Sequence, residues 1–169
     1  MRTLYLLRHA KSSWEDPELD DMDRPLAPRG RRAAERIAVH LRAHGIAPEL
    51  VICSPALRAR QTLDGLGDAV AAARVEIDPD LYDAHEADLL ATVRKVEPGV
   101  NAVMLIGHNP SIERLALLLA AEGDLLDDLR SKFPTAALAT LTFDPAWRDL
   151  GAGEAELAAF VRPRDLEGG

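Results

Sequence analysis

A chain of 169 residues, 47% of them apolar and 28% charged, is long enough to fill one hydrophobic core and short for two. It has no low-complexity tract, which argues against disorder, and no apolar stretch of membrane-spanning length without a charge. Its net charge of −8, from 20 basic against 28 acidic residues, is a poor match to nucleic acid. Residues 1–162 are therefore expected to form one domain, with "PRDLEGG" (163–169) as a loose tail. The start of the chain carries no apolar stretch with a small-residue cleavage site, and its single cysteine cannot form an internal disulfide. Both features lead us to expect a cytoplasmic protein with no membrane partner.

The first element is a short apolar strand, Leu4 to Leu7, which stops abruptly on Arg8 and His9. Next comes the almost purely acidic "EDPELDDMD" (15–23), which reads as solvated surface and lacks the central Gly and closing Glu of a calcium loop. The basic "RPLAPRGRRAAER" follows, crowding Arg24, Arg29, Arg31, Arg32 and Arg36 into one stretch. A helix is expected from Arg31 to His44, with Ala34, Ile37, Ala38 and Leu41 on one face. His40 and His44 stand i, i+4 on its flank, but no third metal ligand is evident and a histidine in a last turn suits the helix dipole.

A second strand spans Leu50 to Cys53, where Cys53 reads as a buried small hydrophobe. Ser54-Pro55 looks like the cap and first residue of a helix from Ala56 to Ala73. Then come the short strand "RVEI", a helix from about Glu86 to Val96, the strand Ala102 to Ile106, a cap at Asn109-Pro110 and a helix from about Pro110 to Ala121. The segments "AALATLTF" and "AELAAFV" finish the chain as a hairpin or as neighbouring strands. Strands alternating with helices imply an α/β fold, a mostly parallel central sheet with helices on both faces.

In such sheets ligands bind beyond the carboxyl ends of the strands. Three of these ends carry polar groups: Arg8-His9, then "SPALRARQT" with Arg58, then "GHNP" with His108. Two of the loops run into helices, whose free N–H groups and positive ends favour an anion. Two arginines, two histidines and those helix starts suit a phosphoryl group, whose transfer spreads charge over three equatorial oxygens. Histidine is a competent nucleophile near neutral pH when one ring nitrogen is free and the other is held as a donor. No carboxylate cluster has ligand spacing, so no metal and no cofactor is expected.

"LLRHAKSSW", "SPALRARQT" and "IGHNP" together resemble the signature motifs of the histidine phosphatase superfamily, which includes the cofactor-dependent phosphoglycerate mutases; Ala10 stands where that family has glycine. The resemblance extends through "DRPLAPRGRRAAERI" and the closing residues, and with the small size it points to the SixA-type branch, which acts on protein phosphohistidine. It implies a phosphoglycerate mutase-like three-layer sandwich. It also implies His9 as the nucleophile that becomes phosphorylated, with Arg8, Arg58 and His108 around the phosphoryl oxygens. Ser12 lies in the same loop as a possible hydrogen-bond donor, and Gln61 and Thr62 are expected to brace Arg58.

Phosphomonoesterases of the superfamily use an acid after a short strand, and Asp83 in "DLYDAHEADLL" matches that position, with Glu86 as its local rival. Glu15 replaces a phosphate-binding Asn of the mutases and is expected to face outward. The implied partner is a phosphorylated signalling protein bearing phosphohistidine. The alternatives are a small phosphoester such as a sugar or nucleotide phosphate, or a phosphate-binding module without turnover.

Overall fold

A computed structural model describes residues 1–166. Six strands form one mixed sheet: β1 (Arg2–Arg8), β2 (Leu50–Cys53), β3 (Arg74–Ile77), β4 (Ala102–Gly107), β5 (Leu138–Phe143) and β6 (Glu156–Val161). They lie in the order β3-β2-β4-β1-β5-β6. The first four are parallel to one another and the last two antiparallel, so the carboxyl-terminal segments do pair as neighbours.

The central strands are buried on both faces, and their side chains separate with a period of two. Leu4, Leu6, Leu50, Ile52, Val103 and Leu105 belong to one core cluster. Leu7, Val51, Cys53, Met104 and Ile106 belong to the other. Helices α3 (Glu86–Arg94), α4 (Ser111–Leu119) and α5 (Leu126–Ser131) close the first face through Leu89, Leu115 and Leu129. The second face is closed by α1 (Pro28–Ala43) and α2 (Leu57–Leu66) through Ile37, Leu41 and Leu66. This is the α/β sandwich expected from the alternation of elements. No helix among the described residues is long and apolar enough to cross a membrane.

Several expected boundaries move. α1 begins at Pro28 rather than Arg31, with the proline in its first turn, where its missing N–H costs nothing. The helix expected to run to Ala73 ends at Leu66, because Gly67 turns to a φ of 53° and a short 3-10 turn, Gly67–Val70, follows. α5 was not anticipated. Pro163–Leu166, expected to be loose, forms a 3-10 turn whose Leu166 packs against the α1/α2 core; residues 167–169 of the expected tail lie outside the described residues.

One glycine joins the sheet to the helical layer. A Cβ on Gly30 would stand 2.1 Å from the Lys11 carbonyl oxygen, which also accepts a 2.9 Å hydrogen bond from the Ala27 N–H. Both contacts tie the start of α1 to the loop after β1. Gly30→Ala is therefore expected to force backbone apart at a cost of about 1–3 kcal/mol. Thermal unfolding should report it as a Tm lowered by about 2–4 °C per kcal/mol, and an unchanged Tm would show that the contact relaxes freely.

Candidate active site

Strand register assembles the site. Arg8 pairs with Gly107 and Cys53 with Ile106, so β1, β4 and β2 end side by side, about 4.8 Å apart. The His9 N–H donates to the Gly107 carbonyl at 2.9 Å and the Ser54 N–H to the Ile106 carbonyl at 3.0 Å. The ladder thus continues one residue past each strand. Beyond it lies a cavity of about 410 Å³, lined among the sequence candidates by Arg8, His9, Ser12, Arg58, Asp83 and His108. Glu86 does not line it; it sits in the first turn of α3, where a carboxylate suits the helix dipole.

The environment of His9 decides its tautomer. Its Nδ1 is 2.7 Å from the Ala10 carbonyl oxygen, which can only accept, so Nδ1 carries the proton and Nε2 keeps its lone pair. The ring is buried, and burial, with His108, Arg58 and Arg8 nearby, lowers its pKa to about 3 despite the opposing Ala10 bond. His108 is lowered to about 4, by burial first and then by Arg58. Its ring centroid is 5.1 Å from that of His9, and its Nε2 is 2.7 Å from Ser54 Oγ. Both imidazoles are therefore neutral at neutral pH, leaving the positive charge to the arginines and Lys11.

NMR titration of the two rings is expected to show no protonation between pH 7.5 and 5.5, and a midpoint near 6.5 for His9 would overturn this assignment. The unfolded chain takes up both protons near pH 6.5, whereas the folded chain resists. Stability is accordingly expected to fall as pH drops below about 6.5, by up to about 1.4 kcal/mol per pH unit for each histidine.

Arg8 donates to the Phe133 carbonyl at 3.1 Å, and its buried Nε has no protein partner among the described residues. Arg58 is held by an unexpected residue. Its two terminal nitrogens donate to the Asp21 carbonyl oxygen at 2.6 Å and to Asp21 Oδ2 at 2.9 Å. Asp21 also accepts from the Tyr82 hydroxyl at 2.6 Å and from Arg24 at 2.9 Å. These three donors, Tyr82 foremost, hold its carboxyl below the usual range. Its side chain is nevertheless 50% exposed, so the gain in stability is discounted by solvent screening.

Arg24 is buried, donates to Ser12 Oγ, and lies with its guanidinium carbon 3.2 Å from the ring centroid of Trp14, which is 76% exposed at the cavity mouth. Ser12 therefore accepts a bond inside the site and keeps its own hydroxyl proton. Asp83 lines the cavity from a left-handed backbone position, φ 56°, which aspartate tolerates better than most residues.

Residues 4–89 match the profile of the histidine phosphatase superfamily, branch 1. An uncharacterised protein of Mycobacterium tuberculosis (strain H37Rv) is 37% identical over 162 residues, 94% of this chain and 100% of that protein. The chain belongs to the histidine phosphatase superfamily. A candidate SixA phosphohistidine phosphatase from Nakamurella multipartitia superposes with a TM-score of 0.85 at 35% identity, covering 96% of each chain. Phosphohistidine phosphatase SixA of Escherichia coli (strain K12) is 27% identical over 144 residues, 83% of this chain and 85% of that protein.

In this histidine phosphatase, the Arg58 guanidinium hydrogen-bonds Asp21, and the hydrogen bonds of Gln61 and Thr62 go elsewhere. Gln61 Oε1 accepts from the Leu26 N–H at 2.7 Å, fixing the segment that leads into α1. Thr62 Oγ1 donates to the Arg58 carbonyl at 2.7 Å and accepts from the Ala10 N–H at 2.9 Å. One hydroxyl thus ties α2 to the peptide unit next to His9. The N-cap positions are Ala56 and Pro110, two residues and one residue after the expected Ser54 and Asn109, although Asn109 Oδ1 still accepts a first-turn N–H of α4. Ser54 Oγ accepts from the Ala56 N–H at 3.2 Å and also contacts His108, and Asn109 bridges the Phe133 carbonyl and the Glu113 N–H. Cys53 is buried and its thiol is pushed up to about 12, so it stays protonated as core. His44 Nδ1 lies 3.0 Å from the His40 carbonyl, and no group of three or more His, Cys, Asp or Glu among the described residues is arranged to hold a metal ion.

Proposed function

We propose that this protein is a phosphatase acting on protein phosphohistidine through a covalent phosphoryl intermediate on His9. The observation that carries the reading is the His9 Nδ1–H bond to Ala10, which leaves the Nε2 lone pair in a cavity lined by Arg8, Arg58 and His108. Nε2 attacks phosphorus while the P–N bond to the substrate imidazole breaks. That electron pair returns to the leaving nitrogen, which takes up a proton. Water then attacks the phosphorus, the P–Nε2 bond breaks, and inorganic phosphate leaves with His9 neutral again. Arg8 and Arg58 offset the charge on the phosphoryl oxygens throughout. The likeness to the SixA proteins supports the substrate class.

A second reading, hydrolysis of a small phosphomonoester, is favoured by Asp83 in the cavity and by a volume within the range of about 300–1,000 Å³ usual for small-ligand sites. An alkyl ester must expel an alkoxide and needs a proton donor, whereas a leaving imidazole is much easier to protonate. Turnover of a phosphohistidine-bearing signalling domain beside a simple alkyl phosphate separates the two readings, and preference for the ester would overturn ours. Asp83→Asn is expected to leave phosphohistidine turnover within a few-fold of wild type while lowering ester turnover by about 10²-fold or more. Equal losses on both substrates would refute this division of labour.

A further inference from the structure

A second, basic groove of about 290 Å³ adjoins the catalytic cavity, and both are lined by Lys11 and Thr135. Its other cations are Arg29, Arg32 and Arg36 of α1 together with Arg162 and Arg164 of the carboxyl-terminal segment. Arg162 is neutralised by Asp165 at 3.1 Å. Lys11, Arg29 and Arg32 are exposed and, among the described residues, form no ion pair. On a chain of net charge −8, Arg29 and Arg32 have no role in the phosphoryl chemistry described above.

Arg29 and Arg32 stand i, i+3 on one face of α1, and Gly30 between them packs against the Lys11 backbone, so these three exposed cations adjoin one another. Because Lys11 and Thr135 line both cavities, this positive charge runs on into the catalytic one and is not confined to a pocket for a single phosphate. We infer that this groove docks an acidic segment of the phosphoprotein whose phosphohistidine enters the catalytic cavity. The inference rests on the proposed phosphatase role of that cavity and deepens it by naming a partner chemistry. The exposed carboxylates of Glu15, Asp16, Glu18 and Asp20 fall in the chain between Trp14 and Asp21, which both line the catalytic cavity, and they disfavour an acidic segment on that side.

Three phosphohistidine peptides, alike except for four Glu, four Gln or four Lys beside the phosphorylated residue, test this together with a matching phosphoserine series. Wild-type kcat/KM is expected to favour the Glu over the Gln peptide by about tenfold, the Lys peptide being poorest. The preference should shrink as salt screens it. R29E/R32E should abolish it with turnover of the Gln peptide unchanged, and the milder R29Q/R32Q should reduce it. Fluorescence anisotropy with His9→Ala protein reads the same comparison as binding, independently of turnover.

Equal handling of Glu and Gln peptides, or a Glu preference that survives in R29E/R32E, would overturn the docking groove. Binding of inorganic diphosphate that is lost in R29E/R32E, without any flank preference, would reassign the groove to a small polyanion and overturn it likewise. Preference for the phosphoserine series would instead overturn the phosphohistidine reading, while the flank comparison still decides the groove.

Discussion

His9→Ala is expected to lower kcat/KM by at least about 10⁴-fold on any phosphorylated substrate the protein turns over. Its Nδ1 is committed to the Ala10 carbonyl and Nε2 is the only atom of the ring left to attack, so no neighbouring group substitutes for it. His108 is the nearest imidazole, yet its Nε2 is engaged by Ser54. Phosphate binding should weaken but persist, because Arg8, Arg58 and Lys11 supply charge that the substitution leaves in place. Rapid quench with labelled substrate should trap an acid-labile, alkali-stable phosphoryl group on wild type and none on His9→Ala. Retention of turnover by His9→Ala would remove the covalent mechanism altogether.

The second large effect is expected at Arg58. Arg58→Ala should cost about 10²–10³-fold in kcat/KM, the range for removing one preorganised donor to a charged transition state. It also strips Asp21 of a partner, leaving a carboxylate beside the bound phosphoryl group. Arg58→Lys is expected to recover little. A planar guanidinium holds the Asp21 carbonyl and carboxylate at 2.6 and 2.9 Å with separate nitrogens, and a single ammonium cannot reproduce that fork. Recovery to within two- or three-fold by lysine would show that Arg58 acts only as a point charge.

The same residue shows why part of the site escapes a linear reading. Asp21 sits in a run of acidic residues whose ordinary fate is solvated surface, and most of the run does lie exposed. Its side chain is singled out by Arg58, Arg24 and Tyr82, which reach it from 37, 3 and 61 positions away. Thr62 likewise looks like a helix residue making a bond back to Arg58, and its second bond, to Ala10, spans 52 positions. Gly30 carries no visible mark of its approach to the Lys11 carbonyl.

What the amino-acid order determined by itself was the order and type of the strands and of four helices, though not all of their boundaries and not α5. The apolar runs placed β1, β2 and β4, and the abrupt change to Arg8-His9, Ser54 and His108 at their ends marked the side of the sheet where the cavity lies, because a strand must stop where its side chains can no longer be buried. What only the tertiary structure decided were the contacts between segments far apart in the chain. It selected Asp83 over Glu86 as the cavity carboxylate and Nε2 as the free atom of His9, and it joined the arginines of α1 to Lys11 and the closing segment in one groove. A hydrogen bond or an ion pair depends on where two groups meet in space, and in a parallel sheet that meeting is set by register and crossover rather than by spacing along the chain.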